Sequence, residues 1–434
     1  MSHSYQEIRE YLQTISVIDT HEHLPLNEHR RNTDTDFILE YFSQYILSDF
    51  VSCGLNKAEL KKLRDRSVSL MDRWKIIEQY WTACKYTGYG RCIRETVKLL
   101  YGADDITANN VEALNAKFLA GLKPGRFREI LKDRCNIKTA LLNNSESYDY
   151  FELLDREFFS PVYSLDCMIT PNGIKMFEIL YEKTGIKVLS FRSWLDACKC
   201  ELENICTKNT KIFKTAISYI RSLYFGEQDY TSAESEFNSA FRQVSNRPTF
   251  FADLDNAFAC TEKFQNYMVH FVLEILSRFE AVLQVHTGMH EGNWNIVGNS
   301  DPTLLTNLIN RYADIKFDLF HIGYPYQNKL IVLAKNYPNV FVNMCWAHII
   351  SPNASIDTLS ELIDAVPANK VCAFGGDFST VEQIAGHLNM AKDNVAKALS
   401  LKTDDKVFDT ETAKEIANRL FFFNPCQLYQ LKQL

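Results

Sequence analysis

This chain of 434 residues predicts an α/β protein, a (β/α)8 TIM-like barrel, and three observations predict it. Eight short apolar runs recur along the chain, most of them separated by helical patterns. They are rich in Val, Ile, Leu and Phe, as parallel strands buried on both faces are. Several end in His, Arg or Asp, the end of a barrel strand where catalytic side chains gather.

In chain order the expected strands are Val17–His21, Ile137–Leu142, Val162–Leu165, Lys187–Phe191, Ala281–His286, Phe317–His321, Val340–Met344 and Val371–Gly375. Two stretches are too long for simple crossovers, and both leave the catalytic end. Residues 25–136 read as a helical insertion after the first strand, placed to roof the site. Within it Asn56-Lys57-Ala58-Glu59 is a capping-box pattern, and helical periodicity runs from Leu70 to Tyr86 and from Arg91 to Leu100. A second helical insertion, from Leu195 to Glu280, follows the fourth expected strand. Asp301-Pro302 opens a helix with Asp as N-cap and Pro at the first helical position. Glu411–Leu434 reads as a closing helix broken near Asn424-Pro425. The chain is expected to form a single barrel domain over 1–434.

Composition narrows the class. The chain is 46% hydrophobic and 23% charged, ordinary for a globular protein with a large core. Its net charge of −7 and the lack of a basic stripe argue against nucleic acid as a partner. No apolar run reaches the roughly 18 residues of a membrane span. The start lacks the basic and apolar regions of a signal peptide. Twelve cysteines show no repeated Cys-x-x-Cys pair, and Cys198, Cys200 and Cys206 are the one cluster. They read as reduced thiols of a cytoplasmic protein.

The chemistry is carried by the strand ends. Val17-Ile18-Asp19-Thr20-His21-Glu22-His23 is an apolar strand that exits in His-x-His. Residues i and i+2 of a strand share a face, so Asp19, His21 and His23 point together and two imidazoles sit side by side. That is half of a transition-metal site. The fourth expected strand runs into Arg192, the fifth ends at His286, the sixth at His321, and the eighth passes through Gly375-Gly376 to Asp377. Any one of these has a packing or capping explanation. Jointly, four of ten histidines at strand ends point to one metal site at the barrel mouth. His290 and His348 lie just beyond strands and can reach a substrate; His29, His270 and His387 fall in loop or helix.

With Asp19-x-His21-x-His23, His286, His321 and Asp377 in this order, the chain resembles the amidohydrolase superfamily over almost its whole length. The resemblance is closest to the amidohydrolase-related branch, amidohydrolase 2. Gln284-Val285-His286-Thr287-Gly288, Phe320-His321-Ile322-Gly323-Tyr324-Pro325 and Phe191-Arg192-Ser193 are similar to amidohydrolase-like domains that some fungi and bacteria fuse to glutamine synthetase-like modules. The long insertion and the ending Phe422-Phe423-Asn424 are similar to uronate isomerases, which usually lack a histidine at the position of His321.

The resemblance implies that His21, His23, His286 and Asp377 bind a divalent metal, Zn²⁺ by default, with Mn²⁺ and Fe²⁺ also fitting. Asp377 would move the proton of a metal-activated water, His286 would hold that water or the metal, and His321 would polarise the substrate. Arg192 would bind a substrate carboxylate, and His290, Tyr324 and Trp346 are further substrate contacts. Many amidohydrolases carry a carboxylated lysine on the fourth strand that bridges two metals. Lys187, near the entry of the expected strand, is at the wrong end, so one metal is expected. The expected activity is hydrolysis of an amide, ester or lactone in a small carboxylate-bearing substrate. Non-oxidative decarboxylation, uronate (aldose–ketose) isomerisation and a non-catalytic ligand-binding barrel are the alternatives. The resemblance also leads one to expect a homo-oligomer.

Overall fold

The computed structural model describes residues 2–143, 153–171, 173–208, 210–245 and 261–431. Eight parallel strands form its centre. They are β1 Val17–Glu22, β2 Ile137–Leu142, β3 Phe159–Pro161 continuing through Val162 into Tyr163–Ser164, β4 Ile212–Thr215, β5 Val282–Val285, β6 Lys316–Leu319, β7 Val340–Asn343 and β8 Val371–Cys372. Each pairs in parallel with the next. The ring closes beyond β8, where Thr20 N–H donates to Phe374 O (3.1 Å), Asp377 N–H to His21 O (2.9 Å) and His23 N–H to Phe378 O (3.0 Å). The first half of β3 pairs with β2 and the second half with β4, so one strand joins two segments of the same barrel.

One strand differs from expectation. Residues 187–190 form no ladder; Leu189 is 64% exposed and the chain enters the helix Phe191–Lys208 at once. The fourth strand is Ile212–Thr215, buried throughout. The stretch read as a second insertion is therefore crossover helix, β4, and then the helices Tyr230–Ser245 and Glu262–Leu276 on the way to β5.

Inward residues alternate along the strands. Ile212 and Val282 lie with Leu141, Val162, Cys372, Leu428 and Tyr429 in an apolar floor. One pleat higher, Lys214, Gln284 and Asp318 are register partners. That level is polar and hydrogen-bonded. Tyr429 rises from the C-terminal segment so that its hydroxyl donates to Asp318, while Gln284 and Asn343 each donate to it at 3.1 Å. Asn343 also donates to Asp318 (2.9 Å), and Thr20 donates to Asn343 (3.1 Å). Such pairing offsets the cost of burying polar groups, although Gln284 Oε1 and Asp318 Oδ1 have no partner among the described residues. The expected break at Asn424-Pro425 is a wide π turn, Arg419–Phe423, running directly into Asn424–Leu428, which sets Tyr429 beneath the barrel.

The insertion after β1 is helical as expected. Asn56 and Glu59 complete the capping box, and Leu70–Cys84 and Gly88–Tyr101 match the periodic stretches. Gly88–Tyr101 packs on Val381–Asp404, and a Cβ at Gly386 would lie 2.2 Å from Thr96 Oγ1. Between the insertion's first two helices, Phe37–Phe42 and Ile46–Ser52, Tyr45 takes φ 40°, which turns the chain toward the barrel mouth. The described cysteines are free thiols. No described helix is long and apolar enough to cross a membrane.

The floor network makes a prediction. Tyr429→Phe removes the donor to buried Asp318 and the acceptor of two amides. It is expected to cost about 1–3 kcal/mol in urea unfolding at unchanged secondary structure. A change within error would mean that the layer adds nothing to stability.

Candidate metal centre

The site is built on the closure of β1 against the segment after β8. Asp19 Oδ1 accepts the N–H groups of His21 (3.2 Å) and Gly376 (3.0 Å), and Glu22 Oε2 accepts that of Phe378 (2.7 Å). Both carboxyls are fully buried. Burial, then the neighbouring Asp19, pushes the Glu22 carboxyl well above the usual carboxylate range, so Glu22 keeps its proton and shares it with Asp19. A Cβ at Gly376 would lie 1.8 Å from Glu22 Oε1, so only glycine fits. The turn that results holds Asp377 at φ 62°, with its carbonyl accepting from Tyr45 and from Gln44 Nε2 (3.4 Å).

Four imidazoles surround the Asp377 carboxylate. His23 Nε2 is 3.1 Å and His21 Nε2 3.5 Å from Oδ1; His321 Nε2 is 3.9 Å from Oδ2. His286 Nδ1 is 3.1 Å from His321 Nε2. Three tautomers are fixed by backbone carbonyls, which can only accept. His23 Nδ1–H donates to Asn143 O (2.8 Å), His286 Nε2–H to Met289 O (2.8 Å) and His321 Nδ1–H to Cys345 O (2.8 Å). Burial works against the cation of His23, yet the Asp377 carboxylate 3.1 Å from its inward nitrogen raises it above an ordinary histidine. The inward nitrogens of His286 and His321 are bare lone pairs that face each other at 3.1 Å with no proton between, a repulsive arrangement that a cation relieves. Metal–ligand bonds of about 2.0–2.1 Å set the donors of a tetrahedron roughly 3.4 Å apart, and the separations here bracket that value. His321 and Ile322 sit at φ 62° and 49°, a strained pair of the kind held at functional sites.

The charges agree with a cation site. Burial lowers His321 to about 4 despite Asp377, and burial holds His286 and His21 well below an ordinary histidine, so all three are neutral at pH 7. Burial would raise Asp377, but His21, His23 and His321 hold it well below the carboxylate range. The donor set of imidazoles and one carboxylate suits zinc, manganese or iron.

Two residues at this site escaped the sequence reading. Lys214, on the true fourth strand, is buried in the barrel with its ammonium 3.7 Å over the Phe320 ring. Burial lowers its pKa, against Asp377 and Cys345. It stands where the resemblance expects a carboxylated lysine, so the objection to a second metal, drawn from Lys187, falls. Cys345, at the exit of β7, is fully buried and completes a second group of metal-capable side chains with His321 and Asp377. Cys345 directly follows the expected strand Val340–Met344, a strand-exit position that the sequence reading left unused. Nothing marked Lys214, because a lysine inside an apolar run reads as a break.

The expected substrate contacts divide. Trp346 walls a cavity of about 210 Å³ over the ligands, held at φ 60° with its buried indole N–H unpartnered. His290 lies behind His286, its ring stacked at 5.3 Å and Nε2 3.2 Å from Ser218 Oγ, and does not line the cavity. Tyr324 is also outside the cavity lining. Arg192 is a correction: it begins the helix Phe191–Lys208, its side chain 76% exposed and 3.4 Å from Asp196. It sits away from the site because the fourth strand is Ile212–Thr215 and not the expected Lys187–Phe191. His348 is committed to Ala373 O (2.8 Å). Tyr45, Tyr219 and Glu291 complete the walls unannounced by any motif.

Comparison with known proteins agrees with this geometry. Residues 259–429 match the amidohydrolase family. The chain is 24% identical over 229 residues to the protein fluG of Emericella nidulans, a match that covers 51% of this chain and 26% of that one. It thus spans about a quarter of that relative. The fold matches uronate isomerase from Thermotoga maritima with TM-score 0.76 and 12% identity, over 99% of this chain and 98% of that one. Glucuronate isomerase from Caulobacter crescentus gives 0.76 and 17%, over 99% and 94%. A presumed metal-dependent hydrolase from Lactobacillus casei gives 0.67 and 16%, over 98% and 99%. At these identities the structural likeness is one of fold. Together the matches bear out the resemblance to amidohydrolases, and to uronate isomerases, that the motifs carried.

Two measurements check the centre. Plasma mass spectrometry of the purified protein should find at least one equivalent of a divalent transition metal, absent from His21→Ala/His23→Ala; retention by the double variant would remove these histidines from the ligand set. In metal-free protein, burial disfavours the cation of His321, so its ring should stay neutral from pH 8 down to 5 and protonate near pH 4, followed by imidazole nitrogen NMR. Protonation near pH 6.5 would contradict the fixed tautomer.

Proposed function

We propose that this chain is a metal-dependent hydrolase that cleaves an amide, ester or lactone bond. The observation that carries the reading is the convergence of His21, His23 and His321 on the Asp377 carboxylate, with His286 against His321, at the floor of a cavity. His21, His23 and Asp377 would hold a divalent metal, Zn²⁺ by preference, with His286 and His321 as further ligands to it or to a second ion. A metal there supplies Lewis acidity and a hydrolytic nucleophile at neutral pH.

The chain's own groups do the rest. Asp377 is ionised across the neutral range and can accept a proton at Oδ and return it to a leaving group. His321, with Nδ1–H committed to Cys345 O, offers a lone pair inward, so it acts as a ligand more readily than as a hydrogen-bond donor to substrate. The Trp346 indole N–H has no partner among the described residues, which suits it to bind a substrate oxygen. Tyr45 seals the roof and excludes water from the Asp377 turn. Burial lowers the Lys214 pKa and so raises the share of its neutral amine, the form that adds CO₂ to give a carbamate with loss of one proton. A carbamate there would supply an oxygen ligand to a second metal.

The full-length likeness to uronate isomerases favours aldose–ketose isomerisation as a second reading. Isotopes separate the two. Screened against small amides, esters and lactones in H₂¹⁸O, a hydrolase places one solvent oxygen in its product. An isomerase instead exchanges solvent deuterium into an intact sugar. Asp377→Asn is expected to lower kcat/KM by about 10²–10⁴-fold, with metal content measured alongside. Isotope exchange without cleavage would overturn hydrolysis in favour of isomerisation.

A further inference from the structure

The loop that follows β5 carries Glu291 to the cavity wall. Its backbone N–H donates to Tyr219 Oη (2.9 Å), and Asn293 ties the loop to Ser48 of the insertion (3.1 Å). Glu291 lines the cavity together with Tyr45, Tyr219 and Trp346. Tyr45 and Tyr89 stack with Trp346: Tyr45 is 4.8 Å from Trp346 and 5.5 Å from Tyr89, centre to centre. Tyr219 packs instead on His286 (4.8 Å) and His290 (4.5 Å). Behind burial, the charge of Glu291 raises the phenols of Tyr45, Tyr89 and Tyr219. Among the described residues no lysine or arginine forms an ion pair with Glu291; the titratable groups that face it are Asp377, whose charge a bound metal would neutralise, and His23, which would be a metal ligand.

A carboxylate that no lysine or arginine pairs with among the described residues, beside aromatic rings whose faces are electron-rich, is an arrangement that can recognise an organic cation once His23 is held neutral as a metal ligand. The same field repels an anion at this end of the cavity. The carboxylate anchor expected at Arg192 is outside the site, and Lys214 is the one lysine or arginine among the described lining residues, down at the level of the metal ligands. We propose that the cavity mouth binds a positively charged, ammonium-type group of the substrate, with Glu291 as its counter-ion and Tyr45, Tyr219 and Trp346 as its walls. This rests on the cavity being the active site. Glu291 is then a specificity residue, lying at the far end of the substrate from the bond that is cleaved.

The test is calorimetric titration of metal-loaded protein with n-butylammonium and with its neutral isostere 1-butanol at pH 7. The ammonium ion should bind about tenfold more tightly than the alcohol. Glu291→Gln should abolish that difference, leave 1-butanol affinity unchanged, and retain the metal. Glu291→Asp should restore part of the preference, which a merely structural role would not. Equal binding of the two probes, or an undiminished preference in Glu291→Gln, overturns the inference while the metal content still stands for the hydrolase reading. Loss of metal binding in the wild type would overturn the hydrolase reading, and the ammonium preference, titrated on the same protein, would still be read independently.

Discussion

Three of the four imidazoles, those of His23, His286 and His321, are held by a backbone carbonyl on the outer nitrogen, and that pairing is the constraint from which the site follows. Met289, Cys345 and Asn143 supply the carbonyls, and each belongs to a segment that leaves the barrel just beyond a strand. Because a carbonyl only accepts, the ring must place its proton outward and its lone pair inward. Three separate strands thus contribute ligands whose direction is decided by backbone of neighbouring exit segments. If one exit loop shifted, the carbonyl would move, the tautomer would be released, and the inward nitrogen could become a donor with nothing to receive its proton.

The barrel's closure and the placement of Asp377 use the same hydrogen bonds. The Asp377 N–H is one of the three that join β8 to β1, and its neighbours Gly376 and Phe378 give their N–H groups to Asp19 and Glu22. Two buried carboxyls side by side would repel if both were ionised. The shared proton turns that repulsion into a hydrogen bond, leaving one net charge behind the ligands. A residue with φ near 60° and a side chain would normally be costly, yet here backbone contacts on both sides over-determine it. Asp19 and Glu22 therefore act through the backbone of the turn, which explains why the residues between and beside the two ligand histidines are themselves acidic.

Much of this was readable from the chain, and the part that was not has a physical reason. Seven strand positions and five of the converging side chains, His21, His23, His286, His321 and Asp377, follow from apolar runs that end in ligand-type residues. The fourth strand did not, because its inward position is Lys214. A lysine in the middle of Ile-Phe-Lys-Thr breaks the apolar run, while Val188 and Leu189 nearby imitate one. Leu189 is in fact on the surface. That one displacement produced two errors together: it put Arg192 at the mouth, and it left the strand without its lysine. The polar middle layer of Gln284, Asp318 and Asn343 was equally illegible, since these residues look like strand interruptions until Tyr429 arrives from the far end of the chain to bond them.

The insertion explains why the roof could not be read at all. Tyr45 reaches the Asp377 carbonyl from a turn between two helices, and Glu291 reaches the opposite wall from a loop tied to that same insertion at Ser48. Neither has periodicity or motif, because their positions depend on how the helices dock on Val381–Asp404 and on the close approach at Gly386. The floor of the cavity is thus determined locally, by residues one or two positions beyond a strand, and its chemistry is common to many barrels. The roof is determined by contacts between segments hundreds of residues apart, and it is the roof that carries the negative charge and the aromatic rings. Selectivity in this chain accordingly lies where local sequence is least informative, and the charge of the mouth, set by Glu291 against Asp377, is the feature by which this site would differ from others with the same ligands.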